Sequence, residues 1–199
     1  MDLGVPGRHG ARLPFEISKM KESSKLRNIL TPDELKYFKG EGMDIGCGND
    51  PIFPDCFTFE QCDGDANNIL KYVRRQYDWV YSSHYLEHMQ DPAAALKDWG
   101  TLVKVGGYLI ITVPDEDLYE QGHFPSIYNT EHKHTFTISK RKSWSLVSVN
   151  LLDLANNLDD FELVKIELQD MDYNRSLIGV DQTKMGAMAQ IMCILRKVK

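Results

Sequence analysis

The stretch "MDIGCGND" (residues 43–50) decides how this chain is read. Met43, Asp44 and Ile45 make a short apolar run that breaks directly into two glycines, Gly46 and Gly48. A buried strand ending in a glycine turn lets a ligand approach the backbone closely. A dinucleotide turn would continue as GxGxxG and open a helix, but Pro51 stands at the third glycine position. "NDPIFPDC" (residues 49–56) holds two prolines, so no strong helix follows and no helix N-terminus is ready for a pyrophosphate. No GK[ST] follows either, which excludes a P-loop. What remains is a tight turn at the C-terminal end of a strand, where α/β sheets bind ligands.

Working outward, three further runs read as strands. "CFTFEQCD" (residues 56–63) alternates and ends on Asp63, an acid placed to accept hydrogen bonds from ribose hydroxyls. "YDWVYSS" (residues 77–83) is aromatic and β-branched. "GYLIITVP" (residues 107–114) is almost continuously apolar, as a strand buried on both faces should be. Between the last two, Asp91 caps and Pro92 starts a helix with Leu96, Trp99, Leu102 and Val103 on one face, and Gly106 and Gly107 stop it. This is a βαβ unit. Upstream, residues 15–30 have helical spacing, with Ile17, Met20, Leu26 and Leu30 apolar. Thr31, Pro32 and Glu34 form a capping box that starts a short helix. Residues 148–158 read as a helix with Val149, Leu152 and Leu158 on one face. "FELVKIELQ" and "AQIMCILRK" read as two strands, so an antiparallel pair should close one edge of an α/β sheet, with a polar loop over residues 170–188 between them.

The chain has 199 residues and a formal net charge of -6, which fits one domain and argues against a general nucleic-acid binder. "SKRK" (residues 139–142) is its one short basic run. The four cysteines form no CxxC pair and read as reduced thiols. With no apolar leader and no long apolar run, the expectation is a cytoplasmic protein without a membrane span. The oligomeric state stays open, a homodimer included.

Together, "MDIGCGND", Asp63, "YDWVYSSHYLEH", "DPAAALKDWGTLVKVGGYLIITVPD" and "EHKHTF" resemble successive motifs of class I S-adenosylmethionine-dependent methyltransferases, most nearly the small bacterial type 11 group. The resemblance covers roughly residues 42–136. It implies a Rossmann-like three-layer sandwich, mainly parallel, with an antiparallel C-terminal edge strand. It implies S-adenosyl-L-methionine as cofactor and S-adenosyl-L-homocysteine as product. Gly46, Cys47 and Gly48 would lie against the methionine part, Asp44 near its amino group and Asp63 on the ribose. Gly64 and Asp65 would flank adenine, and Ser82, Ser83 and His84 would line the cofactor. Val105 departs from the family's proline before the two glycines. The spacing departs more: residues 46–56 leave no room for a full crossover helix, and residues 64–76 cannot hold a helix plus a strand. The expected fold is therefore trimmed at its early crossovers, in a single domain over residues 1–199. Residues 1–40 would be a helical extension and residues 115–147 an insertion that builds the acceptor pocket.

His84, Glu87 and His88 spell HxxEH, which on one helix would put two histidines on one face for zinc. The motif follows a strand end directly and no third ligand is placed, so no metal is expected. Methyl transfer to a hydroxyl needs a base, and histidine suits it near neutral pH. His88, His132 and His134 are the candidates, with Asp115 and Glu116 behind them. "GGYLIITVPDEDLYEQ" and "SWSLVSVNLLDL" resemble bacterial methyltransferases of surface-polysaccharide synthesis, which implies a small-molecule or carbohydrate acceptor. Two alternatives remain at this stage: a cofactor-binding partner subunit without chemistry, and an NAD-dependent oxidoreductase.

Overall fold

The computed structural model describes residues 21–199. Its centre is a six-stranded sheet built from β1 (Gly42–Ile45), β2 (Phe57–Phe59), β3 (Tyr77–Ser83), β4 (Val103–Pro114), β7 (Phe161–Gln169) and β8 (Gln190–Lys197), in the order β2-β1-β3-β4-β8-β7. The first four strands are mutually parallel. β8 runs antiparallel to both β4 and β7, so the expected antiparallel pair closes one end of the sheet. Two three-residue strands, β5 (Thr135–Thr137) and β6 (Ser148–Asn150), pair in parallel outside it.

Helices α1 (Glu22–Ile29), α2 (Pro32–Leu35), α3 (Pro92–Thr101) and α4 (Leu151–Asn156) complete the described elements together with short helical turns. Ile17 and Met20, expected in the first helix, lie outside the described residues. Successive residues of a central strand serve opposite layers. Trp79 and Tyr81 of β3 pack with Leu26, Phe38 and Ile52 on one face. Val80 joins Leu96 and Trp99 of α3 and Leu151 of α4 on the other. β4 is buried the same way, with Ile110 on the first face and Leu109, Ile111 and Val113 on the second, which is why its sequence is almost continuously apolar.

Local signals hold where they are chemically specific. Thr31 and Glu34 bond reciprocally as a capping box. Asp91 accepts from the amides of Ala93 and Ala94, with Pro92 in the first turn of α3. Two boundaries differ from expectation. α3 ends at Thr101, and Val103 enters β4 opposite Tyr77, so the two glycines sit inside the irregular start of a strand and do not stop the helix. Ser148–Asn150 is a strand because Thr135–Thr137 gives it a partner; Asn150 then caps α4 by accepting from Leu152 and Asp153.

The shortened crossovers are as expected. Residues 46–56 contain no helix, and residues 64–76 contain only a tight helical turn, Ala66–Lys71. α1 braces the first of these loops instead. The Ser24 amide donates to Asp50 Oδ2 at 2.8 Å. Arg27 Nη1 donates to the carbonyls of Pro51 and Ile52 at 2.8 and 3.1 Å.

Candidate functional site

The C-terminal ends of β1 to β4 point the same way, and the site lies there. Gly46 follows β1 in the left-handed region at φ 78, and its amide donates to the Phe59 carbonyl at 2.9 Å. A Cβ on Gly46 would stand 2.3 Å from the Tyr85 ring, so the turn passes directly under that aromatic. Gly48, at φ 60, has nothing within 4 Å of a Cβ position and faces open space.

A residue that sequence reasoning missed holds this turn. Glu60, first after β2, accepts from the Gly48 amide at 2.8 Å and from Cys47 Sγ at 3.0 Å. Burial and the Glu60 carboxylate push the Cys47 thiol well above its ordinary range, so it is a neutral donor and no nucleophile. Asp63, three positions on, is exposed and accepts from the Glu60 amide at 2.9 Å. Gly64 packs under Tyr72, and Asp65 accepts from the Asn67 amide, starting the Ala66–Lys71 turn.

Asp44 is fully buried and turned into the loop, with Oδ2 accepting from the Ile52 amide at 2.8 Å. Burial raises its carboxyl to about 7. The folded protein thus keeps a proton that the unfolded chain releases near pH 4. The stability tied to that proton is complete below the unfolded pKa and is lost as pH rises towards 7. Asp44→Asn keeps an acceptor for Ile52 and titrates nothing. Thermal unfolding from pH 4 to 8 should therefore fall less steeply in the variant, with a gain of up to about 4 kcal/mol at pH 8 (~1.36 kcal/mol per pKa unit). Parallel profiles would show that Asp44 is not the titrating group.

Ser82 Oγ donates to the Ile45 carbonyl, tying β3 to β1, and Thr112 Oγ1 donates to Ser83 Oγ. His84 sits at φ 50, and its Nε2 is 2.7 Å from Gln190 Oε1. Gln190 in turn donates to Gln169 Oε1 at 2.7 Å, so His84 is anchored to the β7/β8 end of the sheet. The chain then forms a tight turn, Leu86–His88. With His84 left-handed and no helix across the motif, HxxEH does not present His84 and His88 on one helical face.

A different set comes together. The amides of Lys133 and His134 donate to the Glu87 carbonyl at 2.9 and 3.2 Å, pinning residues 132–134 over the Leu86–His88 turn. This brings the His88 and His132 rings to 5.0 Å between centroids. His132 is buried, with Nδ1 2.6 Å from Glu120 Oε1 and Nε2 3.7 Å from Glu87 Oε1. His134, half-buried, has Nε2 3.3 Å from the Gln90 carbonyl. Glu116 is a buried hub that accepts from Thr135, Ser143, Ser148 and Lys140, which engages the basic run as well. Asp115, raised to about 6 by burial, caps the turn Glu116–Glu120 through the amides of Asp117 and Leu118. Both acids hold the insertion together, away from base duty.

Two recesses lie at this end of the sheet: Gly46 lines the smaller, and Tyr85, whose ring packs on Gly46, lines the larger. The smaller, about 140 Å³, is lined by Gly46, Cys47, Ser83 and His84, with Lys21 and Ser23 as an outer wall that no sequence pattern marks. The larger, about 780 Å³, runs from Gly64, Asp65 and Asn67 past Tyr85 to His88 and His132. A polar seat beside a longer groove with carboxylate, amide and aromatic walls fits an amino-acid end and a nucleoside end of one ligand. The residues therefore suit S-adenosylmethionine. The dinucleotide alternative fails at the turn, because no helix follows Gly48.

Comparison with known proteins agrees. No curated protein matches the sequence. Several solved structures share the fold. A SAM-dependent methyltransferase from Thermotoga maritima, described as a possible histamine N-methyltransferase, is 17% identical, with a TM-score of 0.55 and 92% of each chain covered. A SAM-dependent methyltransferase from Archaeoglobus fulgidus is 19% identical, with a TM-score of 0.53, covering 92% of this chain and 98% of that one. One from Clostridium acetobutylicum is 10% identical, with a TM-score of 0.54, covering 90% and 93%. A family model described as a methyltransferase domain matches residues 24–146. The chain belongs to that family: it is an S-adenosylmethionine-dependent methyltransferase of the class I fold.

Proposed function

We propose that this enzyme methylates a hydroxyl of a small carbohydrate-type acceptor, in surface-polysaccharide synthesis. One observation carries the reading: residues 130–133 of the insertion form the far wall of the larger cleft and set His88 and His132 across it from the cofactor-side residues Asp65 and Asn67. That wall is open and polar, as a sugar requires. The net charge of -6 speaks against a nucleic-acid acceptor.

The cofactor supplies a methyl group already activated on sulfonium. The chain's part is to position the acceptor oxygen and take charge of its proton. His88 Nδ1 lies 3.1 Å from the Glu131 carbonyl, which only accepts, so Nδ1 carries the proton and Nε2 the lone pair. The acceptor hydroxyl is held and activated at the group formed by Glu87, His88 and His132. His134, held on the Gln90 carbonyl, orients the segment. On the cofactor side, Gly46, Cys47, Gly48, Ser83 and His84 seat the methionine end. Asp63 and Asp65 serve the ribose and adenine.

Asp63→Ala should weaken S-adenosylhomocysteine binding at least tenfold by calorimetry, since hydrogen bonds to a charged group are worth about 1.5–3 kcal/mol each. Unchanged affinity, with a loss in Glu60→Ala, would move the ribose role to Glu60. The acceptor is tested with methyl-labelled cofactor and a nucleotide-sugar or lipopolysaccharide extract. Label in the carbohydrate fraction is expected; label confined to amines would overturn the assignment.

A further inference from the structure

Glu87 poses a problem that methyl transfer alone does not solve. Its side chain is fully buried, and neither carboxylate oxygen has a hydrogen-bond partner among the described residues. An ionised carboxylate in that state costs several kcal/mol unless something compensates it. Its nearest cationic candidates are imidazoles: His132 Nε2 at 3.7 Å and His84 Nδ1 at 3.9 Å. Neither distance makes a hydrogen bond.

One ligand atom each from Glu87, His88 and His132 lies within 4.8 Å of the others, a spacing that admits a single ion between them. Both rings are prepared from behind. His88 Nδ1 is engaged by the Glu131 carbonyl, and His132 Nδ1 by the Glu120 carboxylate at 2.6 Å. In each case the outer acceptor holds the proton on Nδ1 and leaves the lone pair on Nε2, which in His132 faces Glu87. Carboxylate and carbonyl acceptors behind a ligating histidine are the usual support of a metal site. Glu120, buried with its second oxygen unpartnered, adds charge to that shell. His88 also lines the larger cleft, so the site opens to solvent on one side.

We propose that Glu87, His88 and His132 bind one divalent transition-metal cation, with Zn²⁺ as the reference ion. Two imidazoles and one carboxylate suit Zn²⁺ and its first-row neighbours, and not Mg²⁺ or Ca²⁺, which favour oxygen ligands. Three protein ligands leave a position open towards the cleft. The use of that position deepens the reading above and rests on it. An acceptor hydroxyl held there has its pKa lowered, its proton passes to water in the open cleft, and its oxygen forms the O–C bond as the S–C bond breaks, giving methyl ether and S-adenosylhomocysteine. Ion binding itself does not depend on the acceptor.

The test is calorimetry of chelator-treated full chain with Zn²⁺ and, separately, Mg²⁺, together with Co²⁺ absorption spectra. One Zn²⁺ per chain and a tetrahedral or five-coordinate Co²⁺ spectrum are expected, with no Mg²⁺ binding. Glu87→Gln and His88→Ala should each weaken Zn²⁺ at least 100-fold, and Glu120→Gln 10–100-fold. The surface variant His123→Ala should leave it unchanged. Far-UV dichroism of the metal-free variants checks folding, and Glu87→Gln should fold well because it removes an uncompensated charge. Absence of stoichiometric Zn²⁺, or affinity unchanged in Glu87→Gln and His88→Ala, would overturn the site. Zn²⁺ bound with no methyl transfer to carbohydrate would leave the site standing and fail only the acceptor assignment.

Discussion

Gly46→Val is expected to abolish measurable S-adenosylhomocysteine binding and to lower the melting temperature. Two independent terms act at this position. A β-branched residue held in the left-handed region loses about 1–2 kcal/mol. Its Cβ would also stand 2.3 Å from the Tyr85 ring, and relieving such overlap costs about 1–3 kcal/mol more. A total near 3 kcal/mol corresponds to a fall of roughly 6–12 °C for a domain of this size. The ring cannot yield freely, because Tyr85 stacks on buried Trp99 at 6.5 Å with 18° between planes. Displacing it disturbs the wall of the larger recess, which Tyr85 lines. Gly48→Ala is the matched control. Gly48 shares the left-handed backbone but faces open space, so only the strain term of about 1 kcal/mol applies to stability. If ligand approach to that face matters, affinity should nonetheless drop. Normal affinity in Gly46→Val, measured by calorimetry, would remove the turn from the cofactor site.

What the sequence reveals here is chemistry that is local. The capping box at Thr31, the Asp91–Pro92 start and the strand Tyr77–Ser83 each depend on neighbouring residues and are legible as such. The trimmed crossovers are legible too, because chain length bounds what fits between strands. The role of Glu60 is not, since it arises from register: the bond from the Gly46 amide to Phe59 fixes which residue after β2 meets the turn. The HxxEH spacing misleads because it presumes a helix, whereas His84 is left-handed and Leu86–His88 is a tight turn. The union of Glu87 with His132 is made by backbone amides of a distant segment, and nothing in either segment announces the other. Asp115 and Glu116 look like bases by composition and serve as struts by position. α1 replaces the missing crossover helix as the brace of the glycine loop, a substitution visible only once Ser24 and Arg27 are seen to bond it.

Trp99→Ala is expected to destabilise the protein by about 3–5 kcal/mol, the range for removing a large buried aromatic. Trp99 is fully buried among Leu96, Leu102, Ala66 and Ile69. Its Nε1 donates to the Ala66 carbonyl at 3.0 Å, so truncation also leaves a buried acceptor unpaired, at about 1–3 kcal/mol. The consequence reaches function through that bond. Ala66 begins the turn Ala66–Lys71, which Asp65 caps and which carries Asn67, and both residues line the larger cleft. With no full helix and no extra strand between β2 and β3, the Trp99 hydrogen bond ties this wall to α3. S-adenosylhomocysteine affinity should therefore fall about tenfold or more, ~1.4 kcal/mol, beyond what the melting point alone predicts, when both are measured well below the transition. Trp99→Phe separates the parts: it keeps most of the packing and the stack on Tyr85 but loses the donor. It should cost about 1–3 kcal/mol and still weaken the cofactor. Chemical denaturation gives the first quantity and calorimetry the second. A cost below about 1 kcal/mol for Trp99→Ala would contradict the burial argument, and full affinity in both variants would show that the Ala66 wall stands without α3.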